Sequence, residues 1–396
     1  MKRIQTIYLS LFLSVLFILA MFHIQFVTAE KRNFNIKRIG KFNDGGRYLG
    51  IQLKEPFVYA VDGEQGLEII NITDRENSSL VGKFNPHAGI PQDVFINGSY
   101  AFLANSFDGI RIINITDPTN PTIISHYMEV EIQYFPFYEE RIKSDSLNIF
   151  VKGSIAYIAD GEFGVRIINI TDPFNPKKVG EYIDDKNGTR SVIVNGSYAY
   201  VADGEDGVEI LNVSSFSNIT RIGHYYDGGK AMGLYFTDPY LYVADYDNGL
   251  EILDVSDPTN PFEIGQIHDE SGLAINVFVS GDLAFIADNT DGLEVFDISD
   301  PTTPVEIGQF YEETGIIGLA KDVVVDDSFI YVAFGIQGLE ILTLTISISE
   351  TTTPSVPETI TASVTNGGVS ITFGSVLTAI SVLILLLRRQ RLLELI

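Results

Sequence analysis

Acids recur at fixed places along this chain. Four short stretches, Asp160 to Gly164, Asp203 to Gly207, Asp245 to Gly249 and Asp288 to Gly292, each separate two strand-like runs and carry Asp160, Glu162, Asp203, Glu205, Asp206, Asp245, Asp247, Asp288 and Asp291. Carboxylate oxygens bind hard cations such as Ca²⁺ when about six or more converge. The first Asp of each stretch equally suits capping its own turn. A second set, Asp93, Asn148, Asn276 and Asp322, stands at the start of short apolar runs. Brought together, these four make an oxygen cage for one Ca²⁺, the only cofactor these residue types suggest, and a metal held there can support hydrolysis. Arg190 and Lys321 come one residue earlier in their runs and offer the acids an ionic partner instead. A third candidate is Tyr134, Phe135, Phe137 and Tyr138, four aromatics in a polar insertion between Met128 and Ser144. Aromatic side chains on loops anchor interfaces.

The elements that must position these groups are read from a repeat. The phrase from Ala199 to Val213 recurs from Ala156 to Ile170, and its central glycine recurs at Gly66, Gly109, Gly164, Gly207, Gly249, Gly292 and Gly338. The glycines are 42 to 46 residues apart, except for 55 between Gly109 and Gly164, where the aromatic insertion lies. A period in the low forties with β-rich content is that of a propeller blade. Each copy holds four strand signals, in the second copy Asp93 to Ile96, Tyr100 to Ala104, Gly109 to Ile115 and Thr122 to Tyr127. Asn97-Gly98 joins the first two as a hairpin turn of the primed type, and Asp117-Pro118 opens the turn between the last two. The expected fold is all-β, a seven-bladed β-propeller of four-stranded antiparallel blades over residues 30–344. The last copy lacks a fourth strand, and Ile36 to Phe42 is a surplus one that matches Lys177 to Tyr182. The N-terminal strand is therefore expected to complete the seventh blade and remove the free edge. In that ring the residues at the inner strands are Gly50, Asp93, Asn148, Ser191, Gly233, Asn276 and Asp322, so the second set faces the channel mouth.

These phrases resemble the LVIVD-repeat family. The matches include Gly249-Leu-Glu-Ile-Leu-Asp-Val-Ser-Asp-Pro258 and Gly292-Leu-Glu-Val-Phe-Asp-Ile-Ser-Asp-Pro301, and they extend over residues 36–344. The chain departs from the pattern with Asn71, Asn114, Asn169 and Asn212 at the final Asp position and with Thr343 in the last copy. The resemblance implies a bacterial or archaeal surface propeller and no particular activity.

Both ends point to a membrane. Residues 1–29 read as a secretory signal, cleaved after Ala29 or kept as a signal anchor. Residues 345–368 are rich in Ser, Thr and Pro and read as a stalk. Residues 369–387 are uncharged and long enough for a transmembrane helix. Arg388, Arg389 and Arg391 place the tail, 388–396, in the cytoplasm and the propeller outside. Nine Asn-X-Ser/Thr sequons fit an extracellular glycoprotein, with Asn97, Asn187 and Asn195 in turns as the accessible ones. Acids outnumber bases 52 to 26, which disfavours a nucleic-acid partner. The absence of Cys excludes disulfides and thiolate chemistry. No Ser-His-Asp order, phosphate loop or zinc spacing occurs. The expected function is a cell-surface binding or scaffolding module using the acidic loop face for an extracellular protein, glycan or cation. The competing expectation is a Ca²⁺-dependent hydrolase or lactonase at the channel mouth.

Overall fold

Runs such as Tyr198–Ala202, rich in aromatic and β-branched residues and bounded by Gly, favour a pleated, half-buried backbone. The computed structural model describes residues 31–135, 138–183, 188–268, 272–311, 319–327, 329–349, 361–365 and 368–372. Phe34–Ile346 make one compact unit. Its strands form seven four-stranded sheets, each ordered from an inner to an outer strand. In the fourth blade these are Ser191–Asn195, Tyr198–Ala202, Val208–Asn212 and Thr220–Tyr225. The first hairpin of the second blade pairs Asn97 with Tyr100, so Gly98 and Ser99 are its turn residues rather than Asn97 and Gly98. Gly98 has φ +58°, the conformation a type II′ turn needs at its first central position.

The seventh blade is ordered Asp322–Asp326, Phe329–Ala333, Leu339–Ser349 and then Lys31–Phe42. The chain's N-terminal strand is thus the outer strand of its last blade, as expected. Lys41 pairs with the buried Glu340 at 2.6 Å, and Asn43 donates to the carbonyls of Ile336 and Gln337 at 3.1 and 3.0 Å. Gly40 takes the place of the glycine found in other outer strands. A Cβ on Gly40 would lie 1.8 Å from the Arg75 carbonyl oxygen of the first blade, as one on Gly82 would lie 1.9 Å from that of Pro118 in the third-to-fourth-strand turn of the second. Glycine lets the neighbouring turn approach the outer strand.

Seven apolar clusters fill the seven gaps between blades, because each sheet is apolar on both faces. One joins Tyr331, Ala333 and Leu339 of the last blade to Tyr48, Ile51 and Val58 of the first, so the ring is closed.

Outside this unit, Thr361–Thr365 pairs antiparallel with Gly368–Thr372. The expected stalk therefore contains a strand, and residues 369–372 of the expected membrane span belong to its partner. The expected signal 1–29, the remainder of the span and the tail 388–396 lie outside the described residues. Among the described residues no helix is long and apolar enough to cross a membrane.

Candidate functional site

The segments leading into the inner strands are fixed by the blade before them. Tyr48 bridges Gly335, Ser146 bridges Ser106, Thr189 bridges Gly161, Ala231 bridges Gly204 and Ala274 bridges Tyr246. These leads converge on the axis around a cavity of about 280 Å³ to which all seven blades contribute. Gly50, Asp93, Asn148, Ser191, Gly233, Asn276 and Asp322 all line it, as the repeat register implies. A second cavity of about 150 Å³ shares part of this lining and is bounded by Phe95, Phe150, Tyr235 and Phe278. Phe95 meets Phe150 edge-on at 5.4 Å, and Tyr235 lies 4.9 Å from Phe278.

The oxygens of the second set are committed to neighbours. Asp93 accepts from the backbone N–H of Ile149 at 3.0 Å, from Asn148 Nδ2 at 2.7 Å and from the N–H of Val94 at 2.7 Å. Asn148 Oδ1 accepts from the N–H of Val192 at 3.0 Å. Asp322 accepts from the N–H of Ile51 at 2.7 Å, from Asn276 Nδ2 at 2.5 Å and from the N–H of Val323 at 2.8 Å. Most of these bonds cross from one blade to the next. Burial pushes the Asp93 carboxyl up to about 6 and that of Asp322 up to about 7, where the Asp93 charge adds to the effect. Carboxylates that each accept three hydrogen bonds act as latches between blades, and this use competes with the expected Ca²⁺ cage.

Three cations share the cavity: Arg47, Arg190 and Lys321. None forms an ion pair with a carboxylate among the described residues. Lys321 Nζ donates to Asn289 Oδ1 at 2.7 Å. Burial and then the nearby Arg47 lower the pKa of Lys321. Arg47 escapes a repeat-based reading because the ladder shifts register between Tyr48 and Gly50. A constant offset from the inner strand selects Leu49 in its place.

The acidic loops divide into buried and exposed members. Asp160, Asp203, Asp245 and Asp288 are all buried. Asp160 accepts from Ser144 and Ser146 at 2.9 Å each and pairs with Arg166 at 2.9 Å. Thr189 donates to Asp203 at 2.8 Å, Asn248 to Asp245 at 3.1 Å, and the Leu273 N–H to Asp288 at 2.7 Å. Asp206 is buried beside Arg221, at 3.7 Å. These acids brace their own turns or the lead into their own blade. Glu162, Glu205 and Asp247 are exposed and Asp291 is half-buried, so these four present carboxylates to solvent.

Among the described residues, three carboxylate clusters are close enough to share an ion. Lys83 bonds to Asp44 and Glu68 in the first, which also contains Asp62. Arg221 pairs with Glu209 at 2.5 Å in the second, beside Asp203 and Asp206. The third, Asp227, Asp245 and Glu251, has no cation partner among the described residues. There Gln266 donates to Glu251 at 3.2 Å from the position that Lys83 holds in the first blade. Burial and the adjacent Asp227 and Asp245 push the Glu251 carboxyl far up.

The aromatic insertion is a β-hairpin, Val130–Phe135 paired with Tyr138–Lys143, rather than an irregular loop. Tyr134, Phe135 and Tyr138 lie at its tip, and Phe137 lies outside the described residues. Its base is tied down by Glu129, which meets Lys178 and lies 3.7 Å from Arg166. His126 and His224 sit in different blades, each bonded to a main-chain carbonyl, of Asp108 at 2.6 Å and Asp206 at 2.7 Å. Asn195 is exposed, Asn97 donates to the Gly153 carbonyl at 3.1 Å, and Asn187 lies outside the described residues.

The LVIVD repeat matches the chain seven times, at residues 45–85, 88–129, 144–184, 188–227, 228–269, 271–311 and 317–359. The chain belongs to the LVIVD-repeat family. In this LVIVD protein each match spans one blade, with the seventh completed from the N-terminus. No curated protein matches the sequence. Solved structures share the fold alone. The RRP9 WD40 repeats align with a TM-score of 0.60 at 10% identity, covering 78% of this chain and 98% of theirs. The values for U3-55K are 0.59, 9%, 78% and 98%. The computationally designed Ika8 protein aligns at 0.55 and 7%, covering 78% of this chain and 99% of its own.

Proposed function

We propose that this LVIVD propeller is a membrane-anchored, cell-surface binding module that engages an extracellular ligand through the face holding the channel mouth. The observation that carries binding is the axial cavity to which all seven blades contribute. Such a concave, preformed site with a few polar groups suits ligand capture. Glu162, Glu205, Asp247 and Asp291 lie in the turns of the same face, and the aromatic hairpin enters it beside the third blade. The leader, the uncharged stretch 369–387 and the arginines that follow support the anchor.

The absence of Cys gives a direct test. Asp172→Cys, in an exposed turn of the propeller, and Glu394→Cys, in the tail, are probed in expressing cells with a membrane-impermeant maleimide. Residue 172 should label on intact cells and residue 394 only after lysis. Labelling of the tail on intact cells, or of neither site before lysis, overturns the placement.

A further inference from the structure

We propose that the axial cavity binds a small organic oxyanion, a carboxylate or phosphate ester, held by Arg47, Arg190 and Lys321 with its apolar body directed down the channel. This names the ligand class for the binding face proposed above and rests on that reading.

Charge is the first argument. The chain is strongly acidic, with a formal net charge of −26. Many of its other structured cations meet that acidity locally, as Lys83, Arg111, Arg166, Lys178 and Arg221 each pair with a carboxylate, while Lys54 and Lys152 donate to main-chain carbonyls instead. Arg47, Arg190 and Lys321 do not, although Asp93 and Asp322 line the same cavity. Those two acids are turned to backbone N–H groups of the next blade and are partly neutralised by burial. Three cations thus face one cavity with little compensation, and burial, with Arg47 as the second cause, disfavours the charge on Lys321. An oxyanion relieves that repulsion, and an Arg fork suits a planar carboxylate or a phosphate. A cation in the same place would add to it.

Shape is the second argument. Between the cations the rim carries Leu49, Leu147, Met232 and Ile275, with Gln92 as its uncharged polar member. The second cavity, which shares Asp93, Asn148, Ser191, Asn276 and Asp322 with the first, is bounded by aromatic rings. A volume of about 280 Å³ at the mouth suits a small organic molecule better than a polymer. The site therefore selects a charged head and an apolar or aromatic body.

Isothermal titration calorimetry on the full chain in non-ionic detergent tests this, with phenyl phosphate and benzoate as probes. At least one should bind with a Kd of about 1 mM or tighter, and the stronger one identifies the head group. Arg47→Gln and Arg190→Gln should each weaken it at least fivefold. Lys230→Gln, which breaks an ion pair with Glu205 in a neighbouring turn, should leave it unchanged. No heat with either probe, unchanged affinity in both Arg variants, or an equal loss in Lys230→Gln overturns the proposal. If Arg47→Gln does not fold, Arg190→Gln carries the test, because its side chain is exposed and makes no hydrogen bond among the described residues. Location by cysteine labelling and chemistry by calorimetry are separate readouts, so either can fail alone.

Discussion

Asp322 Oδ2 accepts a hydrogen bond from the backbone N–H of Ile51 at 2.7 Å, and this ties the inner strand of the last blade to that of the first. The ring is thus locked at two radii: here beside the axis, and at the rim where Lys41 meets Glu340. Removing the inner lock strands a buried N–H, which costs about 1–3 kcal/mol. Asp322→Ala should lower stability by that amount in urea denaturation. Ser191→Ala, at the same ring position without a side-chain hydrogen bond among the described residues, should stay within about 0.5 kcal/mol of wild type. Equal midpoints for the two variants would show that the bond contributes nothing.

The outer lock depends on Gly40. A methyl there meets the fixed Arg75 carbonyl oxygen at 1.8 Å, whereas a methyl on Gly308 meets only the movable Cδ1 of Ile36 at 3.0 Å. Gly40→Ala should therefore cost about 1–3 kcal/mol and Gly308→Ala clearly less. Thermal denaturation of the pair decides, and a larger loss for Gly308→Ala contradicts the backbone argument.

Ionisation of Asp93 and Asp322 should act against stability. Asp93 and Asp322 release protons near pH 6 and 7 when folded but near about 3.9 when unfolded. Their contribution is complete below about pH 4 and declines as pH rises through the folded values, because the folded chain holds more protons. The urea midpoint of the wild type should thus fall, relative to that of Asp93→Asn/Asp322→Asn, between pH 4.5 and 8. Parallel curves would remove these two groups from the account.

The fifth blade carries a correctable defect. Asp227, Asp245 and Glu251 face one another where the first blade has Lys83 among its acids. Gln266→Lys should stabilise the protein by about 1.5–3 kcal/mol, the value of a hydrogen bond to a charged group. It should also flatten the loss of stability above neutral pH that the raised Glu251 carboxyl imposes. A lower melting temperature in Gln266→Lys would refute the pairing.

Sequon use should follow exposure. Asn71, Asn114, Asn169 and Asn212 each accept from the N–H two residues on, at 2.8, 2.9, 2.8 and 3.0 Å, which closes the turn after the third strand. Asn195 is exposed. In a glycosylating host, peptide mass spectrometry should find glycan at Asn195 and bare Asn114 and Asn169. The reverse pattern would contradict the assignment.

The architecture was legible because the phrase is a packing unit. The glycine before each third strand, the Asp-Pro turns and the surplus strand at Ile36 specify blades, count and closure together. The ring of residues around the axis was legible for the same reason, since register alone selects Asp93, Asn148, Asn276 and Asp322. What those residues do there was not. The partners of Asp93 and Asp322 are N–H groups 56 and 271 residues away, a matter of how blades abut rather than of residue type. Arg47 was hidden by a single register shift. The loop acids misled in part, because one residue type serves both to brace a turn and to face solvent.

The shared seventh blade also sets a schedule for synthesis. Arg38 and Glu340 meet within one sheet although 302 residues separate them. At about 5–20 residues per second, a ribosome needs roughly 15–60 s to make the intervening chain. Throughout that interval the first strand has no partner, and the growing row of blades exposes an apolar sheet face at each end. A cell that makes this protein must therefore keep its first strand from pairing elsewhere until its last blade has been made.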